Sequence, residues 1–176
     1  GTRDGLQNIP RFLPTADKIK LVNALAQAGL RRIEATSFVH PKAVPQLADA
    51  EALMAGIQRL PGVRYSALVP NERGAQRAVA CGVDEITLVV SASESHNRSN
   101  VRCSVQESLA GFVPIMAMAT EAGVLVRGAI ATSFGCPFEG NVPPERVMAI
   151  ARRYQEMGVG EIGLADPTGM ANPVQV

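Results

Sequence analysis

Near its start the chain places a guanidinium, a carboxylate and a carboxamide within five residues, in Arg3-Asp4-Gly5-Leu6-Gln7-Asn8. A carboxylate oxygen suits a hard divalent cation, and an arginine presents a planar fork of donors to an anion. Together they could hold a metal ion and an anionic substrate side by side. The same residues would equally make a salt-bridged surface turn, and the segment alone leaves both readings open. Further polar groups recur at intervals along the chain: Glu34-Ala35-Thr36-Ser37, Pro70-Asn71-Glu72, Ser91-Ala92-Ser93-Glu94, Thr132-Ser133 and Asp166-Pro167-Thr168.

Elements must bring such dispersed groups together, and one phrase announces them. A small residue, a glycine and an apolar residue recur in Gln27-Ala28-Gly29-Leu30, Ala80-Cys81-Gly82-Val83, Glu121-Ala122-Gly123-Val124 and Glu156-Met157-Gly158-Val159, with a variant at Pro61-Gly62-Val63. Glycine ends a helix at low cost because it accepts the left-handed conformation of the C-terminal cap. A short β-rich run follows each phrase: Arg32–Thr36, Arg64–Val69, Glu85–Val90, Leu125–Thr132 and Glu161–Ala165.

Between these runs the apolar spacing is helical, with Leu21, Ala24, Leu25 and Ala28 on one expected face. Leu109, Phe112, Val113 and Met116 form another, and Val147, Ile150, Ala151 and Tyr154 a third. Met116 and Met118 read as core filler. Ser104 and Glu107 have capping-box spacing, Pro143-Pro144 suits a helix start, and Pro114 is expected to kink or interrupt its helix.

Alternating strands and helices imply a parallel sheet. No strand is followed by a Gly-x-Gly-x-x-Gly loop, which argues against a dinucleotide-binding sheet. Polar groups at the C-terminal ends of many strands are how a (β/α)8 TIM barrel assembles one site. A full barrel takes about 250 residues; here an incomplete one is expected, from the end of its first strand through its sixth, as a single domain over residues 1–176. The first residue is Gly1, which suggests that a natural N-terminus is missing.

Composition narrows the class. Apolar residues make up 47% and charged residues 19%. No apolar run approaches the roughly 20 residues of a membrane span, and no signal-peptide pattern is present. A net charge of +1 with five Phe, two Tyr and no Trp argues against a nucleic-acid surface. Cys81, Cys103 and Cys136 are odd in number and widely spaced, indicating neither a disulfide framework nor a structural zinc site. A reducing, cytoplasmic, bacterial-like enzyme domain is the expectation.

Four segments in order resemble one family. Arg3–Asn8 resembles the opening motif of the 3-hydroxy-3-methylglutaryl-CoA lyase family, within the metal-dependent Asp-Arg-Glu barrels that include the isopropylmalate and homocitrate synthases. Ile33-Glu34-Ala35-Thr36-Ser37-Phe38-Val39-His40-Pro41-Lys42-Ala43-Val44-Pro45-Gln46 is similar to its second-strand segment. Ser91–His96 is similar to the fourth, and Gly135-Cys136-Pro137-Phe138-Glu139-Gly140 to the loop after the fifth. The last two, with Gln7-Asn8, point to lyases rather than synthases.

The resemblance implies a metal-assisted retro-Claisen cleavage of 3-hydroxy-3-methylglutaryl-CoA, or a related 3-hydroxyacyl-CoA, to acetyl-CoA and acetoacetate, as in leucine degradation and ketone-body metabolism. It implies that Asp4 ligates a divalent cation, Mg²⁺ or Mn²⁺, and that Arg3 steadies charge on the thioester oxygen. Glu34, at the strand end, would orient Arg3 and the metal site. Gln7 would contact substrate, and Asp166 the substrate hydroxyl or its proton path. Its partners would be a small-molecule acyl-CoA substrate, with no nucleic acid and no membrane; a homodimer is left open.

Each residue has a plainer reading. Glu34 could simply pair with Arg3, and Asp166, before Pro-Thr-Gly, could form a turn. Arg127 could bind a CoA phosphate or pair internally, with equal weight. His96 reads as a solvated histidine in the polar loop Glu94–Asn100. Cys136 sits in a loop where exposure is expected, with a structural role favoured over a nucleophilic one.

Some family features have no counterpart in these residues. The family's His-x-His pair after the sixth strand, a later Asn ligand and an acidic cysteine in a Gly-rich loop are not found, and Ala129 and Thr132 stand where well-known lyases carry Tyr and Cys. The 176 residues alone are therefore expected to be inactive. The competing expectations are an acyl-CoA-condensing synthase of the isopropylmalate or homocitrate type and a non-catalytic barrel remnant.

Overall fold

The computed structural model describes residues 1–176. Five strands, β1 (Arg32–Ser37), β2 (Arg64–Leu68), β3 (Glu85–Ser91), β4 (Leu125–Ala131) and β5 (Glu161–Leu164), alternate with helices. The helices are α1 (Asp4–Gln7), α2 (Thr15–Gln27), α3 (Ala50–Gly56), α4 (Glu72–Ala80), α5 (Glu94–Val101), α6 (Val105–Glu121) and α7 (Pro144–Glu156). The sheet order β1-β2-β3-β4-β5 is that of the sequence. A doubly wound sheet reverses its order at a switch point, whereas a barrel does not, so this is the order of a (β/α)8 barrel over part of its circuit. Internal packing divides the chain into two compact units, residues 1–87 with 118–125 and residues 88–117 with 126–176.

Four of the glycine phrases stop helices as expected. Gly29, Gly82, Gly123 and Gly158 have φ between 66° and 93°. Each donates to the carbonyl three residues back, and the apolar residue after it donates five residues back, to Leu25, Ala78, Ala119 and Tyr154 respectively. These paired bonds satisfy helix-end carbonyls and turn the chain toward the next strand. Gly62 also has positive φ, but α3 has already ended at Gly56, so this phrase is a plain turn.

In the first unit, parallel pairing sets Arg32 against Arg64 and Ser66 against Glu85. The register shifts between Glu34 and Thr36, leaving Ala35 as an extra residue on β1. The core joins Val22 and Ala26 of α2 to Ile33, Tyr65, Ala67, Leu53 and Ala78. The expected face of α2 is displaced, since Lys18, Val22 and Ala26 are its buried residues while Leu21 is 38% exposed. The core-facing stripe begins with a lysine, so a pattern counted from apolar residues alone fell one position away from it.

In the second unit, Arg127 pairs in register with Glu161. Val147, Ile150 and Tyr154 of α7 are buried as expected. Phe112 stacks on Tyr154 with ring centroids 6.0 Å apart, and the buried Tyr154 hydroxyl donates to the Leu88 carbonyl at 2.9 Å. Burial pushes that phenol well above its ordinary pKa. On α6, Leu109, Phe112 and Met116 are buried together with Ile115 and Ala119, but Val113 is 53% exposed. Pro114 does not break α6, which is continuous from Val105 to Glu121 with the proline on its exposed side. Ser104 and Glu107 form the expected capping box, the Ser104 amide donating to Glu107 at 2.7 Å and the Glu107 amide to the Ser104 hydroxyl at 3.1 Å.

Two glycines separate backbone conformation from space. A Cβ on Gly123 would meet nothing within 4 Å, so Gly123→Ala meets only the left-handed backbone penalty, about 1 kcal/mol. A Cβ on Gly128 would lie 2.9–3.1 Å from the Tyr154 ring, so Gly128→Ala overpacks the core and should cost about 1–3 kcal/mol. Urea unfolding of the two variants is expected to rank them in that order.

Candidate active site

Arg3, Asp4 and Glu34 come together in the first unit. The Arg3 Nε–H donates to Glu34 Oε2 at 2.7 Å, and Nη1–H to Asp4 Oδ1 at 3.3 Å. The buried Thr2 hydroxyl donates to the Glu34 carbonyl at 2.7 Å, tying the chain before α1 to β1. Arg3 precedes a single helical turn whose amides at Gly5 and Gln7 donate to the carbonyls of Gly1 and Arg3. Glu34 is the third residue of β1 rather than its end, and the extra Ala35 beside it marks where the strand's pairing is interrupted. Strand irregularities of this kind re-aim side chains next to functional sites.

Exposure distinguishes the two carboxylates. The Asp4 side chain is 71% exposed and that of Glu34 27%, with the Arg3 side chain between them at 17%. Asp4 Oδ2 is therefore open to solvent beside a fixed guanidinium. This fits one position in a hard cation's oxygen shell and not a whole shell, because no group of three His, Cys, Asp or Glu residues stands together. Gln7 is half-buried as the last residue of α1.

Asp166 and Arg127 belong to the second unit. Asp166 follows β5, and its two oxygens accept from the amides of Met170 at 3.0 Å and Ala171 at 2.8 Å. The Ala171 amide first, and that of Met170 next, hold its carboxyl below the ordinary range. These are the bonds a turn-forming aspartate makes. Arg127 is the third residue of β4, and its Nε lies 3.0 Å from Glu161 Oε1 across the β4–β5 register. Of its two open readings, internal pairing is the one present. Barrel ligands gather at the other ends of the strands.

Two expectations here need correcting. His96 is not in a loop: Ser93 caps α5 by accepting the His96 amide at 3.1 Å, and the run from Glu94 is helical. Its Nδ1 is buried without a hydrogen-bond partner. Cys136 is fully buried rather than exposed, its thiol donating to the Ser93 hydroxyl at 3.0 Å and accepting the Phe138 amide at 3.4 Å. That is a structural role.

Sequence reasoning assigned nothing to the residues that organise the loop after β4. Thr132 is fully buried with φ 55°, a conformation a β-branched residue rarely takes. Its hydroxyl lies 2.7 Å from that of Ser91 and donates to the Ala131 carbonyl. Glu139 docks the loop, accepting the Ser95 amide at 2.7 Å and the Arg146 guanidinium at 2.6 Å. The Ser95 amide is the largest influence bringing the Glu139 carboxyl down to about 2, with Arg146 adding to it. A glutamate inside the Gly135–Gly140 segment was the available sign, with an N-terminal helix turn as its natural partner.

A family model described as HMGL-like matches residues 1–176. The chain is 46% identical over 173 residues to the mitochondrial hydroxymethylglutaryl-CoA lyase of Rattus norvegicus, an alignment covering 98% of this chain and 53% of that protein. It is 46% identical over 176 residues to a hydroxymethylglutaryl-CoA lyase of Bacillus subtilis, covering 100% of this chain and 59% of the relative. Among solved structures, the HMG-CoA lyase from Bacillus subtilis matches with TM-score 0.97 and 46% identity over 99% of this chain and 59% of that one. The HMG-CoA lyase from Acinetobacter baumannii, solved in complex with coenzyme A and 3-methylmalate, matches with TM-score 0.96 and 46% identity, over 99% of this chain and 57% of that one. The chain spans about half the length of the curated relatives it matches.

Glu139 gives the loop after β4 a pH dependence. Its folded pKa of about 2 lies below the ordinary 4.5, so its docking contribution is complete above about pH 4.5 and is lost as pH falls toward 2. Hydrogen exchange in residues 134–140 should therefore quicken across that window. Glu139→Gln is expected to show quickened exchange already at pH 7 and little further change down to pH 3; a variant that still responds to acid as the wild type does would assign the transition to another group.

Proposed function

The chain belongs to the HMGL-like family, and on that premise we propose that its protein is a carbon–carbon lyase cleaving 3-hydroxy-3-methylglutaryl-CoA, or a closely related 3-hydroxyacyl-CoA. The observation that carries the reading is the Arg3–Glu34 pair at 2.7 Å with the exposed carboxylate of Asp4 beside it. The lyase names of the relatives, from bacterium and mammal, support this over a condensing synthase. Coenzyme A is a ligand of the Acinetobacter baumannii relative, which supports an acyl-CoA thioester as substrate.

In the proposed reaction the substrate's C3 hydroxyl loses its proton and the C2–C3 bond breaks. The electron pair is left on the acetyl-CoA fragment as an enolate, which then takes up a proton. Negative charge thus grows on the thioester oxygen during bond breaking. Arg3, held at Nε by Glu34 and at Nη1 by Asp4, is the group suited to meet it without reorganising. A divalent cation, Mg²⁺ or Mn²⁺, would lower the hydroxyl pKa and polarise the oxygens flanking the bond. Asp4 would provide one of its ligands, and Gln7, one helical turn on, a contact to substrate.

Asp166 enters as an ionised acceptor. A carboxyl held low by two backbone amides is a weak base, so orienting the substrate hydroxyl suits it better than carrying a proton. Arg127 is left out of substrate binding because its charge is matched by Glu161. The protein would work among small acyl-CoA metabolites. Leucine degradation and ketone-body metabolism are settings that match the proposed substrate, and no helix is long and apolar enough to cross a membrane.

The deciding experiment supplies the full-length protein with the hydroxymethylglutaryl thioester and Mg²⁺, and separately with acetyl-CoA and a 2-oxo acid. Acetoacetate and acetyl-CoA should form in the first and nothing in the second; condensation alone would replace the lyase reading with a synthase. Arg3→Gln should lower kcat by about a hundredfold or more with KM little changed, since the charge it meets belongs to the transition state. An intact kcat with a raised KM would remove that role. Asp4→Ala should weaken Mn²⁺ binding measured calorimetrically. Asp166→Asn should fold normally and lose turnover, whereas a plain turn residue would leave rates at the wild-type level.

A further inference from the structure

We infer that Lys18 is a positioning residue for the Arg3–Gln7 turn, a buried ammonium that fixes the segment leading out of α1 through Gln46 and Phe12. This rests on the reading of Arg3 and Asp4 as the reacting end of the site. Lysine is almost never fully buried unless paired, and Lys18 is 1% exposed. Nothing about helix packing calls for it, because on α2 it heads the stripe continued by Val22 and Ala26, where an apolar residue would fill the space.

Its ammonium is satisfied on three sides. It donates to the Gln46 carbonyl at 2.6 Å and to Asp49 Oδ1 at 2.7 Å, and it lies 4.1 Å from the centroid of the Phe12 ring. Asp49 spends its second oxygen on the Thr15 hydroxyl at 2.7 Å, at the first residue of α2. Gln46, held at its carbonyl by Lys18, donates its side-chain amide to the Ile9 carbonyl at 3.1 Å. Ile9 and Phe12 both lie in the stretch between α1 and α2, which has no regular structure of its own.

This matters because α1 cannot hold itself. It is four residues long, with no side-chain cap at its N-terminus, far below the length at which a helix persists alone. On one side it is anchored by Thr2 and Arg3 to Glu34. On the other its exit is anchored at Ile9 and Phe12, and both anchorages converge on Lys18. A misplacement of about 1 Å at reacting groups can cost about a hundredfold in rate, so the second anchorage bears on catalysis without touching substrate.

The rival reading is a buried ion pair that serves stability alone. Two full-length variants separate the two. Lys18→Met leaves Asp49 buried and unpaired, and should destabilise on either reading. Lys18→Met/Asp49→Leu removes both charges and should recover most of the melting temperature. In the double variant we expect hydrogen exchange over residues 3–13 to quicken by about tenfold, with kcat lowered by about tenfold or more and the thioester KM nearly unchanged. Wild-type exchange and wild-type kcat in the stable double variant would overturn the inference. Should the double variant not fold, Gln46→Ala, which deletes only the bond to Ile9, carries the same expectation and the same refutation. A wild-type enzyme without lyase activity would defeat the functional reading, while the exchange measurement would still decide the role of Lys18.

Discussion

A parallel sheet can be built from a short chain only if every helix lets go of it in the right direction. Here that constraint is met by one device used four times, a glycine in the left-handed region followed by an apolar residue bonded back to the helix's last turn. The paired bonds leave few helix-end carbonyls wanting, and the apolar residue after the glycine starts the return toward the sheet. With each return fixed, the strands run parallel and in order, and their C-terminal ends carry the polar residues. Within the first unit, Arg3 and Glu34 are 31 positions apart and meet because the strand, and not local folding, brings them together.

This device is also why the architecture is legible in the sequence. Glycine at the cap and β-rich residues after it are local signals, and the five strands fell within a residue or two of their observed bounds. Helix faces were legible where apolar residues carry them, as in Val147, Ile150 and Tyr154. On α2 they were not, because the buried stripe starts with Lys18, whose partners Gln46 and Asp49 arrive about thirty positions later. Pro114 does not interrupt its helix, because burial of Phe112, Ile115 and Met116 on the opposite side outweighs the bond its ring removes.

The candidate site divides along the same line. Arg3, Asp4 and Glu34 could be named from residue type and from resemblance, and Arg3 pairs with Glu34 across 31 positions, as the functional and the plainer reading both expect. Burial could not be read in this way. Cys136 lies between glycine and proline, a setting that suggests an open loop, yet the reciprocal bonds between Cys136 and Gly140 at 2.7–2.8 Å fold the loop over its thiol. The left-handed Thr132 was equally hidden, since no local preference of threonine announces it and only the buried Ser91 hydroxyl explains where its own is held.

Four carboxylates, Asp4, Glu34, Glu139 and Asp166, differ in what they accept, and that limits what each can do. Glu139 takes a helix-start amide and a guanidinium, Asp166 takes two backbone amides, and Glu34 takes Arg3. Hydrogen bonds to an ionised carboxylate favour the ion, so the pKa values of Glu139 and Asp166 move down and both remain anionic at neutral pH. General acid–base work favours the opposite, a group poised near the working pH. These residues are therefore built to hold and orient. Asp4 is the most open of the carboxylates around Arg3, its side chain 71% exposed beside a guanidinium held by Glu34. The chemistry open to this part of the fold is consequently electrostatic: a fixed cation and a free anionic ligand presented together, with proton movement left to other groups.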